Sequence, residues 1–254
     1  MRKSLLLAFA LLGAVAPRTF ADSPGAPAAP ATDAASVING LIAEIDAGMK
    51  DKDDAKMSAA AKKAATAYKS TADQAVRGPL LRALIGLVKQ SKYQSARRAA
   101  LTAIVETEDS KEGTKVLLTV YPKNDVEDTE RFNCDVVKAI GALHADSAID
   151  MLLESFQKAK QPDLAAEAVI ALGNYHKSKQ RERIVDELCK AGKNMVPSRG
   201  HGKRVSPEVQ ARWSAIGGPL GKAFDMLTGD AVGSVDEWFK KIDAAKDLKT
   251  LFKD

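Results

Sequence analysis

Apolar and polar residues recur along this chain with the period of amphipathic helices, and one stretch of the pattern occurs twice. The segment 137–144 aligns with the segment 169–176 at a constant offset of 32 residues, with small or apolar residues at matching positions. Each copy is followed by a turn and a second apolar helix pattern. A fixed period of this length predicts a repeat whose unit is a pair of helices.

The same pattern predicts three regular helix pairs in succession. Their first, outer helices lie at about 80–88, 116–121 and 149–156, and their second, inner helices at about 96–104, 132–143 and 164–175. Ala103, Ala139 and Ala171 occupy matching inner positions at steps of 36 and 32 residues. Because only the surface loops change length, we expect the buried core of each pair to be retained.

A fourth pair begins at Ile184, and its inner helix is delayed until Ser206, a predicted N-cap followed by proline. Aligning 213–217 with 169–173 gives an offset of 44 residues, twelve more than the repeat period of 32. These extra residues predict a loop from Ala191 to Val205. A last helix opens with Ser234 and Glu237 as a capping box and is expected to close the stack.

The N-terminal third of the chain has a different composition. Residues 1–21 carry a basic start, an apolar run and a small-x-small site, which predicts a signal peptide cleaved after Ala21 and a periplasmic or secreted protein. Residues 22–35 are rich in proline and alanine and predict a disordered linker. Residues 36–77 predict a helical cap or a mobile arm, including one alanine-rich helix at about 54–76.

Charge and cysteine content exclude some classes of function. Removal of Arg2, Lys3 and Arg18 with the signal peptide reduces the 38 basic side chains to 35, against 33 acidic ones. A net charge of +2 gives no case for nucleic acid. Cys134 and Cys189 lie on helices separated by a helix pair, so we expect two buried thiols and no disulfide. No metal-ligand spacing is present, and no cofactor is predicted.

Residues 78–254 resemble the HEAT-repeat family, including the variant called HEAT-like or PBS-lyase-type repeats. The resemblance rests on the motif at 161–173, on a weaker copy at 97–101, and on 227–229 with 236–238, which resemble the C-terminal cap of secreted bacterial HEAT proteins. It implies an all-α, right-handed α-solenoid of about four stacked antiparallel helix pairs with terminal cap helices. It also implies a binding scaffold and no reaction.

The basic loop is the first candidate for a binding site, since insertions in repeat arrays often carry function. There is no acidic residue between Leu188 and Pro207, and the candidate contacts are Lys193, Arg199, His201, Lys203 and Arg204. Such a loop suits an anionic surface or phosphate. The ordinary alternative is a solvated loop that happens to be basic.

Histidines, glycines and tryptophans in the helical segments are further features to interpret. His144 and His176 occupy matching positions and suit either a shared ligand or, as we favour, helix C-termini. The glycines at 141, 173 and 217 predict close approach between successive helices, since each costs about 1 kcal/mol relative to alanine in a helix. Trp213 and Trp238 are expected to pack in the core and the cap.

These patterns predict a non-catalytic, exported scaffold that binds a protein partner through the face lined by the inner helices. The alternatives are recognition of an anionic envelope polymer by the loop 191–205 and an accessory role beside an enzyme, the latter resting on the family label alone. No catalytic motif is present, and apart from the signal peptide no segment is apolar enough to span a membrane.

Overall fold

The computed structural model describes residues 32–90, 92–121, 131–197 and 205–252, and within these ranges the chain is entirely helical, without β-strands. This confirms the predicted all-α class. The helices are α1 (Thr32–Asp51), α2 (Asp54–Lys69), α3 (Gln74–Val88), α4 (Gln94–Glu106), α5 (Ser110–Leu118), α6 (Phe132–Leu143), α7 (Ile149–Lys158), α8 (Pro162–Gly173), α9 (Arg181–Met195), α10 (Pro207–Thr228) and α11 (Val235–Ala244). Short 3-10 helices lie at Asp146–Ala148 and Leu248–Leu251.

Neighbouring helices pack in two series. The even-numbered helices, which we call the inner helices, contact one another in order: α2 with α4, α4 with α6, α6 with α8 and α8 with α10. The odd-numbered helices do the same on the other side, except that α5 meets α7 through the 3-10 helix that precedes α7. Each inner helix from α4 to α10 also packs on the helix before it. One continuous hydrophobic core runs between the two series.

The boundaries of the first helices correct the sequence-based ones. α1 begins at Thr32, inside the predicted linker, because Ala34 and Ala35 favour helix and the next proline after Pro30 is Pro79. The predicted helix at 54–76 is wrong, since it is divided at Ser70 into α2 and α3. The predicted domain boundary at residue 78 therefore lies within α3.

The alanine-rich helix α2 belongs to the packed core, as a cap and not as an arm. It packs against α1 and α4, and it buries five of its alanines together with Met57 and Tyr68. The Tyr68 hydroxyl donates to the Asp109 carboxylate at the start of α5 over 2.6 Å. Burial and this negative neighbour raise the pKa of Tyr68, so the donor stays protonated. Small side chains thus allow α2 to pack closely on α1 and α4.

Two of the three recurring glycines lie where successive inner helices touch. A methyl group on Gly141 would come within 2.5 Å of the Ala171 Cβ, and one on Gly173 within 3.1 Å of the Ala223 Cα. The close-approach prediction is confirmed at these two positions. It is wrong at Gly217, where a methyl group would meet only the Trp213 ring of the same helix, at 3.4 Å.

This difference corrects the alignment of the fourth pair. Gly141 and Gly173 occupy equivalent positions, so the residues that they contact, Ala171 and Ala223, are equivalent as well. The offset between α8 and α10 is therefore 52 residues in place of 44. With the new offset, residues buried in α8 fall on residues buried in α10: 164, 168, 171 and 172 on 216, 220, 223 and 224. The helix is continuous through Pro219, and Ser206 caps it by accepting from the Val209 amide, as predicted.

The first two turns of α10 extend beyond the repeat and are fastened by Arg212. Its guanidinium donates to the carbonyl oxygens of Phe156 at 2.7 Å, Gln157 at 3.3 Å, and Ala159. These carbonyls lie at the C-terminal end of α7, where backbone acceptors lack partners within the helix. Arg212 therefore joins the extension to the third pair.

The C-terminal cap and the cysteines follow the predictions. Ser234 accepts from the Glu237 amide at the start of α11, and Trp238 is fully buried with its indole nitrogen 2.7 Å from the Asp225 carboxylate. Cys134 and Cys189 are buried thiols on different helices, as expected. None of the helices in the described ranges combines the length and apolar character needed to cross a bilayer.

Gly141→Ala tests the helix contact, with Gly217→Ala as its matched control. Alanine favours helix over glycine by about 1 kcal/mol, so the control should raise the free energy of unfolding by up to that amount. At Gly141 the added methyl group forces α6 and α8 apart, and overpacking of about 1–3 kcal/mol should exceed the gain. Urea unfolding measures both. Equal stabilisation by both substitutions would contradict the contact.

Candidate functional site

A groove crosses the face of three successive inner helices. It encloses about 690 Å³ and is lined by Arg98, Leu101, Thr102, Val105 and Glu106 of α4, by Arg131 and residues of α6, and by Glu167 of α8. A smaller depression of about 480 Å³ between α2 and α4 shares Arg98, Thr102 and Glu106 with it. Two depressions thus adjoin on the inner helices from α2 to α8.

The floor of the groove is apolar because α4 and α6 each place apolar side chains along it. Leu101 and Val105 lie one turn apart on α4, and Ala139 and Ala142 do so on α6. The Cys134 thiol is buried at the same floor. Alanine and cysteine leave space that larger side chains would fill, so the groove follows directly from the small residues of the repeat.

The N-terminal end of α6 is held against its neighbours by arginine contacts. The Arg97 guanidinium lies 3.6 Å from the centre of the Phe132 ring. Arg98 pairs with Asp135 and Arg131 pairs with Asp163, in each case with a nitrogen–oxygen distance of 3.8 Å. Because these pairs join α4 to α6 and the start of α6 to α8, they position the rim of the groove.

Three other charges lining the groove make no hydrogen bond or ion pair with any residue that the structure describes. They are Glu106 on α4, Lys138 on α6 and Glu167 on α8. Glu106 and Lys138 are exposed, whereas Glu167 is half-buried. Burial raises the pKa of Glu167, and the positive charges of Lys138 and Arg131 offset part of this increase. The groove therefore presents a half-buried carboxylate that forms no hydrogen bond with a described residue.

Glu106 and Glu167 lie on two inner helices with α6 between them. Neighbouring helix axes lie roughly 8–10 Å apart, so the axes of α4 and α8 lie roughly 16–20 Å apart.

The predicted basic loop is shorter than the sequence suggested. α9 extends to Met195, so residues 191–195 are helical and the prediction of a loop from Ala191 is wrong. Lys193 forms an ion pair with Asp243 of α11, and its ammonium lies 5.8 Å from the Phe239 ring. It thus joins α9 to the cap. The other candidates, Arg199, His201, Lys203 and Arg204, lie outside the described residues, as does the predicted signal peptide.

His144 lies at the C-terminal end of α6, as predicted, whereas His176 lies in the turn after α8, two residues beyond the C-cap Asn174. His144 ends α6 in a left-handed conformation with φ 54°, and its ring meets the Tyr175 ring edge-on at 6.1 Å. Burial lowers the pKa of His144, and the charges of His176 and Lys177 lower it further. No group of three histidine, cysteine, aspartate or glutamate side chains suited to a metal ion exists in the described ranges.

The tryptophans differ in their environment. Trp238 lies in the cap, between the Phe224 ring, whose centre is 5.9 Å away, and the Lys241 ammonium, 4.9 Å from its ring centre. Trp213 is half-buried beside Gly217 on the extension of α10. The prediction of packing roles is confirmed for Trp238, and Trp213 also packs on the core, although less completely.

The charged residues of the groove were not among the candidates predicted from the sequence, although the repeat period marks some of them. Asp135 and Glu167 are separated by the 32-residue period and therefore occupy equivalent positions on α6 and α8. An acidic residue at the same inner position of consecutive repeats was the available signal. The sequence alone does not show that Asp135 forms an ion pair with Arg98 and that Glu167 forms none with a described residue.

Glu167→Gln should stabilise the protein at neutral pH. Because the carboxyl pKa of Glu167 is raised in the folded state, the folded state binds the proton more tightly than the unfolded state does. The free energy of unfolding therefore decreases as the pH rises from the unfolded-state pKa through the folded-state pKa. The substitution removes this loss, and the gain should vanish near pH 4, where the wild-type carboxyl is largely protonated. Thermal unfolding at both pH values measures it.

Glu154→Gln on α7 is the control, because its exposed carboxylate pairs with Lys158 at 2.9 Å. Loss of an exposed pair costs about 0.3–0.5 kcal/mol at most, so this variant should be no more stable than the wild type. A Glu167→Gln variant that is equally destabilised at neutral pH would contradict the assignment of Glu167 as an unpartnered carboxylate.

Comparison with known proteins found no similarity: the chain matches no protein-family model, no curated protein and no solved structure.

Proposed function

We propose that this protein is a non-catalytic scaffold that binds a segment of a partner protein in the groove across α4, α6 and α8. The observation that carries the proposal is the groove itself, with an apolar floor and a rim of both paired and unpaired charges. Apolar floors with a few placed polar groups are typical of binding sites. The groove lies on the inner-helix face, where the sequence pattern predicted binding.

We further propose a right-handed HEAT-like solenoid as the architecture. Supporting it are the 32-residue period, the ordered contacts of inner helices with inner helices, and the repeated glycine contacts at Gly141 and Gly173. Stacked helix pairs of this kind form extended concave surfaces that bind other chains. The composition of residues 1–21 supports export to the periplasm or the exterior of a bacterial cell.

A binding role is also supported by the rigidity of the groove walls. All the groove residues except Arg131 lie within helices, and Arg131 is the N-cap of α6. Sites built on packed helices keep their geometry better than sites on loops. An extended segment would thus meet a preformed surface and lose little affinity to rearrangement of the scaffold.

Site-specific photocrosslinking tests the proposal. A photoreactive amino acid at Ala142, which is exposed at the groove, should form adducts with a discrete partner in an extract of the source cells. The same amino acid at Glu154, exposed on α7, is the matched control and should not form these adducts. Identical adducts at both positions, or none at Ala142, would exclude the groove as the binding surface.

A further inference from the structure

The unpaired charges of the groove alternate in sign along successive helices. Glu106 belongs to α4, Lys138 to α6 and Glu167 to α8, so the order across the groove is negative, positive, negative. The other charges at this rim, Arg98, Asp135 and Arg131, are already engaged in pairs between helices. Among the residues that the structure describes, Glu106, Lys138 and Glu167 are therefore the charges of the groove that remain available to an occupant.

Both carboxylates lie where an added cation would be favourable. Glu167 is half-buried, and that burial raises its pKa. Glu106 is the last residue of α4, where the unsatisfied carbonyl groups already give the helix end a partial negative charge. A cation placed beside either carboxylate would relieve this unfavourable position. Lys138, the one unpaired cation among them, lies on the helix between the two.

An apolar surface accompanies these charges. The floor carries Leu101 and Val105, and Ile170 lies one helical turn beyond Glu167 on α8 with 44% of its surface exposed. Exposed large apolar side chains on the described surface are few, which makes one beside the groove informative. The occupant must therefore offer apolar side chains between its charges.

We propose that the groove binds an extended peptide segment with basic, acidic and basic side chains in that order, separated by apolar residues. The proposal rests on the function proposed above and specifies the partner. The basic residues pair with Glu106 and Glu167, and the acidic residue pairs with Lys138. Successive inner helices lie roughly 8–10 Å apart, a distance that two to three residues of extended chain cover. The whole segment is about five to seven residues long.

Panning of a random heptapeptide display library on the full chain tests this order of charges. Peptides enriched on the wild type should carry the basic–acidic–basic order around apolar residues, and their affinity should decrease with added salt. The charge-reversed variant Glu106→Lys, Lys138→Glu, Glu167→Lys should enrich the opposite order, acidic–basic–acidic. It should bind the wild-type peptides at least about tenfold more weakly, a difference of about 1.4 kcal/mol.

Two control variants separate this inference from the proposed function. Glu154→Lys changes an exposed charge on α7 and should leave the enriched order unchanged. Ala142→Arg fills the groove and should abolish enrichment. Thermal unfolding confirms that each variant is folded.

The outcomes distinguish the charge order from the proposed peptide site. Peptides that lack the charge order, or that bind the charge-reversed variant equally well, while losing affinity for Ala142→Arg would overturn the inference and leave the groove as a peptide site. Peptides that bind Ala142→Arg as well as they bind the wild type, or the absence of any enrichment, would overturn both.

Discussion

The contact between successive inner helices at Gly141 and Ala171, repeated between Gly173 and Ala223, is the constraint on which the fold depends. Glycine destabilises a helix interior, and its presence here is offset because the neighbouring backbone occupies the space of a side chain. The contact brings α6, α8 and α10 close together. The inner helices can then form one series over one continuous core.

The groove is a second consequence of the same small residues. Alanines that allow helices to approach, such as Ala139, also leave the floor shallow and apolar where no helix covers it. Longer side chains are confined to the rim, where arginine pairs such as Arg98 with Asp135 join one helix to the next. Individually these exposed pairs contribute little to stability. Within the described ranges, Glu106, Lys138 and Glu167 are then the groove charges that form no ion pair.

The sequence predicted the helical class and the order of helices, because apolar periodicity reports directly which face of a helix is buried. It misplaced α10 against α8 by eight residues, about two helical turns, since helices rich in alanine and glycine offer several similar alignments. It also predicted one continuous helix at 54–76 and so missed the break between α2 and α3. The break at Ser70 is set by the cap that Asp73 provides to α3 and by the bond from Tyr68 to Asp109, a tertiary contact that no local pattern contains.

Function was harder to predict from the sequence than fold, for a physical reason. A cluster of lysines and arginines near residue 200 is conspicuous in the sequence, yet Lys193 pairs with Asp243 across the fold and stabilises the cap. Glu167 is one of many glutamates on helix surfaces, and only its half-burial and its lack of a partner among the described residues distinguish it. A local rule broken without compensation within the fold indicates a binding site. By this criterion Glu167 marks the groove as a place where the described part of the structure retains an uncompensated charge.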